Sequence, residues 1–451
     1  MYALGQGRLV RVFVGMLKVA GISSTIKVLA MMKGLVLARQ FGVSIDLDAF
    51  FIAYLLPSFL SDLFAGAIVV ALVPLYVQTH EKDGSDAAQA FIGNILVVTT
   101  ICSIAVAILA WFLSPTLILM VAQSFPQDHL RLASSLFLVL IPTLPLSVIS
   151  AILISVLTAR NRLALATVAP GISIVFVTAA IYGFARQWGV YSLAVGTTLG
   201  LVVQTLVLAI TLKRPNFRHL LVWRGLTPTT RSFFRQIVIV AAGSFIINFI
   251  DMIDQYSAGV IGPGNLSTLN YGNKFVLAVL GPASIAVSTA VFPHLSELVC
   301  AGDFVAARQI VKTYSMMILA VTIPLTILLV VWSPTIVRLL FERNAFTSHD
   351  TLQVTAVQRT FLLQIPLHVL GMLFVSLVWS LRANWVFLVI NPICLLLKIC
   401  LNAGLSAVYG VPGIGLATSV TYGVSCALLL IAGTWLMRRE ERAKRFVRPF
   451  E

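Results

Sequence analysis

Residues 89–113 read QAFIGNILVVTTICSIAVAILAWFL. Twenty-five positions pass without an Asp, Glu, Lys or Arg. A helix rising 1.5 Å per residue crosses a ~30 Å hydrocarbon core in about 20 residues, so this stretch is long enough to span a bilayer. Backbone groups in lipid must find their hydrogen bonds inside the segment, which a helix does alone and a strand does only in a closed barrel. A barrel strand alternates polarity over ~10 residues. Here the apolar run is continuous, so the reading is helix.

The rest of the chain repeats that pattern. Apolar runs fall near 13–38, 49–76, 89–113, 132–157, 163–184, 190–212, 236–259, 268–296, 313–331, 353–380, 385–406 and 413–437. Of the 451 residues 59% are hydrophobic and 10% charged, and the mean hydropathy is +0.99. Soluble chains carry about 25% charged residues. This composition excludes a water-soluble enzyme, a disordered chain and a solvated scaffold. The predicted fold class is an all-α polytopic membrane protein of twelve spans. Pro57, Pro145, Pro324 and Pro366 fall inside runs and are expected to bend them.

Net charge is +15, from 31 Lys and Arg against 16 Asp and Glu. In a soluble protein that excess points to nucleic acid; in a polytopic one it reports orientation, because basic residues collect in cytoplasmic loops. With the N-terminus inside, 20 basic residues fall in cytoplasmic segments and five on the other side. Both termini are therefore expected in the cytoplasm, and no nucleic-acid partner is expected. Met1–Ala20 is interrupted by Lys18 and lacks a clear cleavage site, so it is read as retained. The five cysteines show neither disulfide nor zinc spacing.

The halves resemble one another. Ser114-Pro115-Thr116 recurs as Ser333-Pro334-Thr335, and Ala71-Leu72-Val73-Pro74 recurs at the same spacing as Ala290-Val291-Phe292-Pro293. Arg160 and Pro170 recur as Arg382 and Pro392 at very nearly that spacing. An even repeat of six spans plus six gives two lobes of like orientation, related by a pseudo-two-fold along the membrane normal. The expected organisation is a lobe at 1–212, a basic linker at 213–235, a second lobe at 236–437 and a basic tail at 438–451. Two such lobes around a central cleft suit rocking alternating access.

Ionisable residues inside spans are costly and need a partner or a task. Lys27 and Lys33 lie in the first span, about 120° apart around the helix. Lys274 closes the motif Asn270-Tyr271-Gly272-Asn273-Lys274 in the eighth, and Asp48 opens the second. A cavity of lysines with one carboxylate suits a phosphate or pyrophosphate; the competing reading for each lysine is snorkelling to the headgroups. A second group is Asp251, Asp254, Lys398 and Asn402. The Asp-x-x-Asp spacing puts two carboxylates on one helix face, where they call for a proton or cation. An ion-coupling site and an internal ion pair with Lys398 both fit. Asp62, in the second span, has no evident partner.

Phe41-Gly42-Val43-Ser44 through Asp48-Ala49-Phe50-Phe51-Ile52-Ala53, then Leu56-Pro57 and Val73-Pro74, resembles the start of the MurJ/MviN lipid II flippases of the multidrug/oligosaccharidyl-lipid/polysaccharide exporter superfamily. Asn270–Lys274 resembles that family's NYADR element, and Leu340-Phe341-Glu342-Arg343-Asn344-Ala345-Phe346-Thr347 its LFERGAFT element. The resemblance implies two six-helix lobes around a V-shaped central cavity. It implies a flippase that moves an undecaprenyl-pyrophosphate-linked saccharide, lipid II or an exopolysaccharide repeat unit, across the bacterial cytoplasmic (inner) membrane. Cell-envelope biosynthesis proteins become expected partners. The family's cavity arginines align with Lys27, Lys33 and Lys274, and its second-helix aspartate with Asp48; Asn273 lies beside Lys274. Its sodium-binding aspartate aligns with Asp254, with further ligands near Lys398 and Asn402. No organic cofactor is expected, and coupling to Na+ or H+ is left open.

Three departures stand out. Ser61-Asp62 replaces a basic pair, Gly66 replaces an acid, and twelve spans stand where the family usually has two more helices. They bring an exopolysaccharide precursor forward as a rival to lipid II. Lys398 suggests a tethered ammonium in place of sodium. Two other classes are kept in view. A drug or cation antiporter of the same superfamily would favour an acidic, aromatic-lined cavity. A membrane-embedded lipid-sugar transferase would need acids or histidines near the headgroup plane, often with a metal. The chain is read as a transporter, not an enzyme.

Overall fold

The computed structural model describes the backbone of residues 2–212, 225 and 227–447, and the side chains of 21–212, 225 and 227–442. Most of the expected linker at 213–235 and the side chains of Arg8, Arg11, Lys18 and the tail beyond Arg442 lie outside those bounds. Every regular element among the described residues is an α-helix. Among the described residues, eleven helical stretches are long and apolar enough to cross a membrane. The 77-residue α2, Ile45–Val121, holds two of the twelve expected spans, divided at Gly84 with φ 85°.

The chain forms two compact units, Met1–Met252 with Gly262–Gly264, and Ile253–Ile261 with Asn265–Glu451. The first contains α1 (Tyr2–Phe41), α2, α3 (Gln127–Leu140), α4 (Thr143–Ala159), α5 (Leu163–Trp188), α6 (Tyr191–Leu212) and most of α7 (Pro228–Ile261). The second contains the end of α7, then α8 (Asn265–Ala301), α9 (Phe304–Phe341), α10 (Ser348–Leu362), α11 (Gln364–Ser380), α12 (Trp385–Tyr409) and α13 (Val411–Val447). Pro228–Arg235, in the stretch expected as linker, are the opening turns of α7.

The duplication is written into the backbone. Asn161 (φ 57°) follows α4, and Arg382 (φ 55°) follows α11. Gly189 (φ 52°) and Gly410 (φ 65°) close α5 and α12, separated by the same stretch of sequence as the first pair. The runs 132–157 and 353–380 are each broken, α3 from α4 and α10 from α11. Pro145 and Pro366 are the third residues of the second pieces, where a helix has no acceptor for their missing N–H. These two prolines mark breaks, whereas α2 and α9 run on through Pro57 and Pro324.

Each unit has its own core. Ile68, Leu72, Ile92, Ile152 and Phe233 pack in the first, and Leu295, Leu373, Leu377, Val386 and Leu429 in the second. Large apolar side chains such as Phe112 and Leu339 are about 70% exposed, as expected where acyl chains are the solvent. Lipid gives helices no hydrophobic reason to associate, so close packing carries the interfaces. On α6, Gly196 and Gly200 are one turn apart. A Cβ on Gly196 would stand 2.8 Å from Ala180 Cβ, and one on Gly200 2.9 Å from the Ser173 carbonyl oxygen, so α5 and α6 meet backbone to backbone.

Candidate functional site

In the first unit α1 is laid against α5. Ile26 Cγ1 stands 3.4 Å from the position a Cβ on Gly171 would take, and Leu29 Cδ1 4.0 Å from it. Lys33 is two helical turns past Ile26 and so lies about 20° from it around the helix, while Lys27 is about 100° away. Both lysines are half-buried. Neither has a hydrogen bond or ion pair among the described residues.

Asp48 is set by the start of α2. Ser44 caps the helix, its Oγ accepting from Leu47 N–H at 3.3 Å, and Asp46 and Asp48 occupy the first turn, where the helix dipole favours acids. Asp48 is fully buried. The Gly264 N–H donates to its Oδ2 at 2.6 Å. Gly264 adopts φ 85°, a conformation open to glycine, as the loop before α8 turns beneath Val43.

In the second unit two motifs that lie far apart in sequence become one structure. Tyr271 packs against Phe341 (5.4 Å between centroids) and Phe346 (5.5 Å). Asn344, between the two phenylalanines in sequence, takes φ 52°, which Asn tolerates better than most residues. Gly272 touches α10 so closely that a Cβ would stand 2.7 Å from Val357 Cγ1. Tyr271 and Gly272 thus anchor α8 and leave Asn273 and Lys274 half-buried. Asn273 Oδ1 is buried and accepts no hydrogen bond among the described residues.

A buried polar cluster joins α7, α12 and α13. Lys398 is fully buried, and its Nζ lies 2.8 Å from Asp254 Oδ1. Lys398 also donates to the Thr418 hydroxyl. Asn402 Nδ2 donates to Asp254 Oδ1 at 2.9 Å and to Ser257 Oγ at 3.2 Å. Thr418 Oγ1 in turn reaches Asp254 Oδ2 at 3.2 Å and the Ile414 carbonyl at 2.9 Å. Asp251, one turn earlier on α7, is exposed. Three kinds of donor converge on one carboxylate, an ammonium, an amide N–H and a hydroxyl. Such a set fits a sodium ion poorly, because the ammonium already supplies a full positive charge at contact distance. Ser257 and Thr418 were not singled out from sequence. The signal was there in Thr418, a hydroxyl inside a span together with Ser419 and Thr421.

The family model for the lipid II flippase MurJ matches residues 37–446. A probable lipid II flippase MurJ of Thermotoga maritima is 27% identical over 88% of this chain and 80% of its own length. The lipid II flippase MurJ of Thermosipho africanus is 24% identical over 90% of this chain and 82% of its own. Among solved structures, a lipid II flippase MurJ in an inward closed conformation superposes with a TM-score of 0.79 at 22% identity, covering 96% of this chain and 93% of that one. An inward-facing multidrug transporter of the MATE family and MOP superfamily gives 0.77 at 13% identity, covering 94% and 99%. At these identities the solved structures speak for the fold alone.

Proposed function

Because the chain belongs to the lipid II flippase MurJ family, a family of membrane transporters, we propose that it carries an undecaprenyl-pyrophosphate-linked saccharide across the cytoplasmic membrane by alternating access of its two lobes. The observation that carries this reading is the pair Lys27 and Lys33. Two cations on a membrane helix without an ion pair among the described residues are retained for an anion that arrives from outside the chain. A diphosphate brings several oxygens, each of which takes an ammonium hydrogen bond. On α8 of the second unit, half-buried Lys274 and the open acceptor of Asn273 are a further pair of polar groups suited to a phosphate. Asp48 holds the α7–α8 loop through the Gly264 N–H.

The polyprenyl tail stays in lipid while the headgroup crosses. The direction is from the cytoplasmic to the outer leaflet, with both chain termini in the cytoplasm. Lys398 takes the place of a dissociable ion at Asp254, so the cycle runs without sodium. No organic cofactor enters, and the chain makes or breaks no covalent bond. Envelope-synthesis proteins would supply the lipid-linked substrate and consume it.

Lipid II is the first substrate to test, by rescue of a bacterium depleted of its own lipid II flippase. Growth on expression of this chain supports the reading. Asp62 and Gly66, where the family pattern has a basic residue and an acid, favour a second substrate, an exopolysaccharide repeat unit on the same carrier. Failed rescue together with loss of exopolysaccharide on deletion would transfer the assignment to that substrate. Failure of both, with export of an organic cation, would favour an antiporter of the superfamily.

A further inference from the structure

Asp62 lies well past the start of α2 at Ile45 and well before the break at Gly84, deep within the first span of that helix. A carboxylate at that depth is retained for a task. Its side chain is exposed, and no hydrogen bond or ion pair engages it among the described residues. The face it sits on is polar and small. Tyr54, Ser58, Asp62 and Gly66 follow one another at four-residue steps. Nothing stands within 4 Å of where a Gly66 Cβ would be, so this face borders open space. Phe59, a turn earlier, packs edge-on against Phe245 (5.6 Å) and Phe249 (6.1 Å) of α7 and gives the stripe an apolar flank.

The surrounding ionisable groups are few. On α2 itself, Tyr54 is the nearest titratable residue in sequence, two turns before Asp62. The neighbouring α4 has no ionisable residue. On α3, His129 lies 3.3 Å from Asp46 of the first turn of α2, and Arg131 lies 3.9 Å from Asp128, so all four sit at the start of their helices and away from Asp62. On α7, Arg231 and Arg235 lie in the first turns and Asp251 near the end of the part that belongs to this unit. Lys27 and Lys33 of α1 form no ion pair with Asp62. A metal ion needs several ligands, and no group of three or more His, Cys, Asp or Glu side chains occurs among the described residues. A proton needs one carboxylate.

We propose that Asp62 is a proton-binding site whose occupancy governs how firmly the first lobe receives a diphosphate headgroup. The inference rests on the lipid-linked saccharide reading. Ionised, Asp62 repels the diphosphate. On taking a proton from water it becomes a neutral acid and the repulsion vanishes. Linkage is reciprocal, so a bound diphosphate strengthens proton binding by the same factor that the proton strengthens diphosphate binding. When the headgroup leaves on the far side, the proton returns to water there. One proton then moves with one headgroup, so acidifying the cytoplasmic side favours outward transport and acidifying the outer side opposes it.

Two measurements on the full chain in phosphatidylethanolamine–phosphatidylglycerol vesicles test this. Dicyclohexylcarbodiimide reacts with protonated carboxyls in apolar surroundings, and mass spectrometry locates the adduct. Asp62 is expected to be labelled, less so as the pH is raised, while Asp254 in its ion pair is spared. An unlabelled Asp62, or labelling indifferent to pH, overturns the proposal. The second probe is undecaprenyl pyrophosphate. The wild type should bind it more tightly as the pH falls, by up to about tenfold per pH unit beyond the probe's own titration. Asp62→Asn should bind tightly throughout, and Asp62→Glu should restore the pH dependence. Equal slopes in wild type and Asp62→Asn overturn the proposal. If no variant binds the probe at any pH, the flippase reading fails, and the labelling pattern still decides whether Asp62 holds a proton.

Discussion

Lys398 Nζ and Asp254 Oδ1 lie 2.8 Å apart with the lysine wholly shielded from solvent. The pair ties α12 to α7, and Asn402 and Thr418 complete the carboxylate's shell. Its strength lies in completeness, since a buried charge deprived of its partner is costly while the intact pair contributes little over an apolar substitute.

Lys398→Ala should therefore destabilise the protein by about 3–5 kcal/mol. Lys398→Met with Asp254→Leu should recover most of the loss. Thermal unfolding in detergent, followed by a fluorescence scan, measures both. A double variant no more stable than the single one would show that the pair does not act as a unit.

Transport by the wild type should be the same in sodium and in choline buffers, because the ammonium of Lys398 is covalently held. Lys398→Ala opens the position beside Asp254 to a free cation, and flipping by this variant should become sodium-stimulated. A fluorescent lipid II assay in proteoliposomes provides the comparison. Sodium-dependent wild-type transport that Lys398→Ala leaves unaltered would refute the role given to this lysine.

Lys27→Ala and Lys33→Ala should each reduce flipping at least tenfold, the cost of one charge-assisted contact of about 1.5–3 kcal/mol, with little change in unfolding temperature. Neither lysine supports the fold through a hydrogen bond or ion pair among the described residues. The conservative exchange to arginine should keep most of the activity. Equal activity of both alanine variants and the wild type would remove these residues from the substrate site.

Gly272→Ala should destabilise the second lobe by about 1–3 kcal/mol, because its Cβ would stand 2.7 Å from Val357 Cγ1. Gly371→Ala, with nothing within 4 Å, serves as the control and should be neutral or mildly stabilising. Val357→Ala combined with Gly272→Ala should recover part of the loss, because Val357 Cβ would remain 3.0 Å from the new Cβ. Unfolding midpoints of the four proteins give the answer.

The helical class was legible from the long runs without charge, and the duplication from Ser-Pro and Val-Pro pieces at one offset. The breaks between α3 and α4 and between α10 and α11 were harder to see, because both sides of each break are apolar and hydropathy does not register a short turn between two apolar helices. Pro145 and Pro366 held the clue, as first-turn prolines. At the candidate site, Lys398 and Asp254 were visible as opposite charges inside spans. Their 2.8 Å contact was not, since it depends on how α12 and α13 are rotated toward α7. Gly272 looked like a substitution within a motif; its contact with Val357 needs α8 and α10 side by side.

The bond from Gly264 to Asp48 joins residues 216 positions apart. During synthesis the second span enters the membrane long before the ribosome reaches the loop that will supply this donor. The first six spans therefore wait, with one acidic group still short of that backbone partner, until the seventh has been threaded and the chain has turned back. The first half is completed by a short piece of the second, which makes residue 264 the earliest point at which a growing chain can finish its opening lobe.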